Sequence, residues 1–118
     1  MADDEPLVKL TYAILLSALK RRAEAVRIDG DHPQGCAVRF WIDGVEQVEM
    51  CPPIQLRAPL IRRLSAMADL PSYPKDGAAE GEFTLLIGEH RHARFAVRVE
   101  GRAFDLVATL HILQGLES

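Results

Sequence analysis

The stretch VRFWIDGV, Val38 to Val45, commits part of this chain to antiparallel sheet. Val38, Phe40 and Ile42 alternate with Arg39 and Trp41, the period-two pattern of a strand with one apolar face. Asp43-Gly44 then supplies a hairpin turn, because both residue types tolerate positive φ. A two-residue turn would set Val48 opposite Arg39 and throw the apolar residues of the two strands onto opposite faces. A three-residue loop of Ile42, Asp43 and Gly44, with Gly44 left-handed in a bulge, sets Val48 opposite Val38 instead. Keeping the apolar residues together favours the three-residue loop. That register places Cys36 opposite Met50, so free thiols are expected at Cys36 and Cys51. Even in the other register their Cβ atoms would lie ~5 Å apart, wider than the ~3.8 Å a disulfide needs.

Helical patterns flank the hairpin. From Pro6, apolar residues recur at Leu7, Leu10, Ile14, Leu15, Ala18 and Leu19, and the run closes on Lys20, Arg21 and Arg22. Val8 and Tyr12 lie off that stripe. A short strand is expected over Ala25 to Ile28, then a polar loop through Gly30, Pro33 and Gly35. After Pro52 and Pro53, a second helix is expected from about Ile54 to Ala68, with Leu56, Leu60, Ile61, Leu64 and Met67 inward; Pro59 should kink it or move its start toward Ala58. The segment PSYPKDGAAEG, Pro71 to Gly81, reads as a loop without packing signal. Three strands complete the pattern, Glu82 to Ile87, Ala93 to Val99 and Ala103 to His111, with Gly101 at the last turn. The expected fold is α+β, an antiparallel sheet of about six strands with two main helices. Residues 1–5 are expected to fray, 6–113 to form one domain and 114–118 a tail.

The chain has 118 residues, 48% hydrophobic and 26% charged, enough to bury a core without disulfides or metal. No apolar run approaches the ~20 residues of a membrane span, and MADDEP is acidic where a signal peptide would be basic, so a cytoplasmic location is expected. A net charge of −3 argues against nucleic-acid binding, although Arg57, Arg62 and Arg63 form a local basic cluster. EHRH, Glu89 to His92, offers two histidines on one face of an extended chain, too few for a metal, and reads as a polar turn. Cys36 has no evident histidine partner for a thiol nucleophile. There is no phosphate loop, dinucleotide fingerprint or H-E-x-x-H. Asp29, Asp31, Asp43 and Asp76 fall at turns, where aspartates cap local backbone donors. Trp41 is either covered by a helix or an anchor for a partner. No metal, cofactor or catalytic residue is expected.

The order of these pieces resembles the domain that precedes the RecA-like motor in the assembly ATPases of type II secretion and type IV pili. PLVKLTYAILLSALK, Pro6 to Lys20, is similar to that domain's first helix, P-V-V-[KR]-L-[VT]-x-x-I-L-x-x-A-[IL]-K. VRFWIDGV is similar to its hairpin, [VI]-R-[FY]-R-[IV]-D-G-V, and LRAPLIRRLSAMADL, Leu56 to Leu70, to its second helix. PKDG, Pro74 to Gly77, stands where the family has P-Q-D-G. The likeness covers about residues 6 to 100 and is collinear. It implies a PAS-like arrangement of helices and antiparallel sheet.

The departures bear on function. Glu24, Ala25 and Arg27 stand where the family's first strand has Ser, Asp and His; Trp41 replaces the hairpin's second arginine; Ser72 and Tyr73 occupy positions usually cationic. In the motors, arginines of this domain are thought to reach nucleotide phosphates, and an indole offers no bidentate donor. The resemblance therefore implies a non-catalytic interaction or regulatory module that keeps the scaffold, cannot turn over ATP alone, and docks to a protein partner of a secretion or pilus machine. Its expected contact residues are Arg39, Trp41, Arg57, Arg62, Arg63 and Tyr73, with homo-oligomerisation open. The alternative is an accessory nucleotide-binding domain acting with a RecA-like partner through Arg39 and Lys75. A small-molecule sensor follows by fold analogy, and a metal or thiol enzyme comes last.

Overall fold

The computed structural model describes residues 5–72, 74–101 and 105–117. The elements are α1 (Glu5–Lys20), β1 (Ala25–Asp29), β2 (Ala37–Ile42), β3 (Val45–Met50), a 3-10 turn (Ile54–Leu56), α2 (Arg57–Met67), β4 (Ala78–Ile87), β5 (Arg91–Glu100) and β6 (Val107–Glu117). The strands form one open sheet in the order β3-β2-β1-β6-β5-β4, every neighbour antiparallel. This is the expected α+β fold, with six strands and two helices.

Period-two patterning makes the sheet two-faced, and both helices cover the same face. Ile14, Leu15 and Ala18 of α1 and Leu60, Ile61 and Leu64 of α2 share one core with Val26, Ile28, Val38, Phe40, Phe95, Val97, Val99 and Leu110. Fully burying each of the larger side chains contributes roughly 1.5–3 kcal/mol. The opposite face carries Arg27, Arg39, Trp41, Arg94, Arg98, Thr109 and His111, none fully buried and no helix over them.

The hairpin corrects the expected register. Ile42 pairs with Val45 and Trp41 with Glu46, so the turn has two residues, Asp43 at φ 53° and Gly44 at φ 76°. Two successive positive φ angles match the right-handed twist of the flanking strands better than the three-residue loop. The Glu24 carboxylate also accepts the Gly44 N–H at 3.0 Å, tying the turn to the start of β1. The parity conflict is resolved farther along: Arg39 pairs with Val48 but Val38 with Met50, an irregularity that leaves Glu49 as the extra residue. Met50 thereby rejoins the core, while Val48 stays on the open face, 46% exposed.

Two further boundaries, at β4 and β6, differ from expectation, while the start of α2 moves toward Ala58, one of the two outcomes expected of Pro59. The 3-10 turn takes the first residues after Pro53, and α2 begins at Arg57, leaving Pro59 in the first turn, where a missing N–H costs nothing. β4 starts at Ala78, inside the segment read as loop. There Gly81 does carry a packing signal: a Cβ would lie 2.9 Å from the Ala68 carbonyl oxygen and 3.0 Å from Leu70 Cδ2, so only glycine lets the end of α2 approach β4. β6 runs from Val107 and takes in residues 114–117, where no strand signal was read; Ala103 lies outside the described residues. Both helices end on a left-handed residue that is not glycine, Arg22 (φ 56°) and Asp69 (φ 58°). The closing bonds are Ala23 N–H to Ala18 O at 2.9 Å and Leu70 N–H to Ser65 O at 2.8 Å.

Candidate functional site

The open face is built around Asp29, at the end of β1 and 3% exposed. Registration of β1 on β2 sets Arg27 beside Arg39 and Ala25 beside Trp41. Two adjacent guanidiniums repel unless an anion lies between them. Asp29 is that anion. Its carboxylate accepts from Arg39 Nε at 3.0 Å and Nη2 at 3.4 Å, from Arg27 Nε at 3.2 Å, and from the Asp31 backbone N–H at 2.9 Å. Arg39 also donates to the Asp31 carbonyl and to Glu46 Oε1 at 3.4 Å. Hydrogen bonding to Asp29 pushes the Arg39 pKa up, locking the charge in place.

Trp41 lies on this face, half-buried with no helix above it. With Arg27, Asp29, Asp31, Arg39 and Glu46 it lines a shallow groove of about 380 Å³. Arg57 is brought to the same end of the sheet from α2. Its Nη1 donates to the Gly35 carbonyl at 3.2 Å, and its guanidinium fills the space beside Gly30. Together with Arg27, Asp29, Asp31 and Asp105 it borders a second hollow of about 230 Å³. Arg62 and Arg63 border neither hollow; both are half-buried along α2, and Arg63 Nε is enclosed without a hydrogen-bond partner. The three arginines therefore diverge. Tyr73 lies outside the described residues.

Sequence reasoning assigned Asp29 to turn capping. It does cap Asp31, but the same carboxylate also grips Arg27 and Arg39. The Arg27–Asp29 half was legible, since residues two apart share a strand face. A second pairing was missed: Cys51 Sγ sits 3.6 Å from His32 Nε2 and 3.7 Å from Nδ1, brought together by the β1–β2 loop and the exit from β3. His32 Nδ1 meanwhile accepts the Gln34 N–H at 3.1 Å, which leaves the ring proton on Nε2. Both thiols are free, and burial pushes the Cys36 thiol up, against the lowering influence of Arg57. Glu89 and His90 lie in the exposed β4–β5 turn, while Arg91 and the half-buried His92 open β5. Among the described residues no three metal-ligating side chains converge, and no helix is long and apolar enough to cross a membrane.

No family model matches the chain. It is 36% identical over 112 residues to the type IV pilus assembly ATPase PilB of Myxococcus xanthus, covering 95% of this chain and 20% of that protein. It is 33% identical over 109 residues to the type II secretion system protein E of Klebsiella pneumoniae, covering 92% of this chain and 19% of the relative. A putative type II secretion system protein E of Escherichia coli is 35% identical over 83 residues, 70% of this chain and 17% of the relative. The chain thus spans about one fifth of the length of the curated relatives it matches. The resemblance read from the motifs holds along nearly the whole chain.

Proposed function

We propose that this chain, homologous to one segment of the type II secretion and type IV pilus assembly ATPases, is a non-catalytic docking module of such a machine. The observation that carries this reading is the uncovered sheet face, where Trp41 stands half-buried beside a rigid ionic cluster and Val48 is exposed. An aromatic held next to a fixed arginine has the make-up of an interface hot spot. Arg39 contributes by shaping that surface: its donors are committed to Asp29, Asp31 and Glu46, which counts against an accessory role at a nucleotide's phosphates. The partner is a protein component of the machine, a RecA-like motor foremost, in the cytoplasm.

Sedimentation of the purified chain with a pilus ATPase motor region tests this. Wild type is expected to co-sediment, and Trp41→Ala to weaken binding by about 2 kcal/mol, some thirtyfold. Unchanged binding by Trp41→Ala removes the site, and ATP hydrolysis by the chain alone removes the non-catalytic reading.

A further inference from the structure

A different surface lies at the C-terminal end of α1, on the helix side of the sheet. Leu19, Ala23 and Ile112 floor a hollow of about 660 Å³, bordered by Gly115 and rimmed by Lys20, Arg22 and Arg91. The cations come from the last residue of α1, its left-handed cap and the first residue of β5, so the fold rather than local sequence assembles them. Four arginines elsewhere are matched by carboxylates: Arg21 by Glu49, Arg39 by Asp29, Arg94 by Glu82 and Arg98 by Glu80. Here, among the described residues lining the hollow, no carboxylate is present. Lys20, Arg22 and Arg91 form no side-chain ion pair or hydrogen bond with any described residue.

Complementing the macrodipole at the end of α1 accounts for Lys20 and Arg22. It does not account for Arg91, which another element delivers, or for the apolar floor. Nor is the hollow closed by packing. A Cβ on Gly115 would meet no atom within 4 Å, so the strand leaves this side open. The volume falls in the range of small-molecule sites, roughly 300–1,000 Å³, and exceeds what a bare inorganic ion fills.

We propose that this hollow binds a phosphorylated small molecule. Its phosphate would sit among Lys20, Arg22 and Arg91, and its apolar or aromatic part on Leu19, Ala23 and Ile112. Two guanidinium forks and an ammonium suit a doubly charged, multi-acceptor oxyanion better than a single carboxylate. The site is on the side of the sheet away from Trp41, so ligand and protein partner can be held together.

Adenosine monophosphate and inorganic pyrophosphate, without magnesium, serve as probes in an NMR titration of the isotope-labelled chain. Adenosine monophosphate is expected to saturate with a dissociation constant below about 1 mM. The largest shifts are expected at Leu19, Arg22, Ala23, Ile112 and Gly115, with binding weakening about tenfold between ~20 and ~200 mM salt. Gly115→Trp, whose Cβ meets no atom within 4 Å, is expected to fill the hollow and abolish binding while leaving the remaining spectrum and the melting temperature in place. Arg91→Glu is expected to weaken both probes at least about tenfold. Saturation by pyrophosphate alone would overturn the ligand class. The absence of saturable shifts, or shifts that persist in both variants, would overturn the site.

Discussion

Asp29→Ala probes the ionic cluster on which the open face rests. The substitution removes three guanidinium hydrogen bonds and the acceptor for the Asp31 N–H. The Arg27 contribution is small, because that side chain is 44% exposed and water replaces its partner. Arg39 is different: its side chain is only 17% exposed, and loss of Asp29 strands most of its charge away from solvent. The one well-made charged hydrogen bond, from Arg39 Nε at 3.0 Å, contributes about 1.5–3 kcal/mol, the longer Nη2 contact at 3.4 Å adds little, and the lost backbone acceptor costs about 1 kcal/mol, so a total near 3 kcal/mol is expected. In a chain of this length that lowers the melting temperature by about 12 °C. Urea denaturation followed by circular dichroism measures it. Asp29→Asn, which still accepts the Asp31 N–H but carries no charge, should cost about half as much. A cycle with Arg39→Ala should show coupling of about 1.5–2.5 kcal/mol. Equal losses for the two Asp29 variants together with coupling below about 0.5 kcal/mol would mean that the pair is ornamental and that the β1–β2 end is held by burial alone.

Gly81→Ala should destabilise by about 1–3 kcal/mol, because the new Cβ meets a backbone oxygen that cannot rotate away; equilibrium unfolding reads it, and a neutral result would show that the end of α2 yields. Asp69→Gly should stabilise by about 0.5–1 kcal/mol by relieving the left-handed strain at the end of α2, visible as a melting temperature a few degrees higher. Cys36 is buried with a raised pKa, so Cys51 should react with a thiol reagent at neutral pH while Cys36 waits for unfolding. The same shift fixes a sign. The stability it confers is whole below the unfolded thiol's pKa of about 8.5 and declines as pH rises from there toward the higher folded value, where a Cys36→Ala variant should lose less than wild type.

The legible parts of this fold are those encoded by a local period. Apolar spacing of 3.6 marked α1 and α2, and alternation marked β2, β5 and most of β4. Boundaries failed where the signal was not apolar. Gly81 reads as loop punctuation, and residues 114–117 of β6 carry no alternation. The hairpin failed because one uniform register was assumed. The three-residue loop and the pairing of Val38 with Val48 were both wrong: Asp43-Gly44 closes a two-residue turn, Val38 meets Met50, and one irregular residue keeps Met50 against the core.

Arg39 and Trp41 were visible as one strand face; Arg27 and Asp29 share another, but Asp29 was read as a turn residue beyond the end of β1. Which strands lie side by side was not, because pairing between distant segments depends on competing register energies that no short window contains. The amino-acid order alone determined an antiparallel α+β scaffold with one apolar sheet face, since backbone geometry turns residue spacing directly into sidedness. Only the tertiary structure decided that Asp29 would hold two arginines, that His32 would meet Cys51, and that Lys20, Arg22 and Arg91 would ring one hollow. Each of those meetings joins residues from separate elements, and it is the packing of helices on a registered sheet that sets the distances between them.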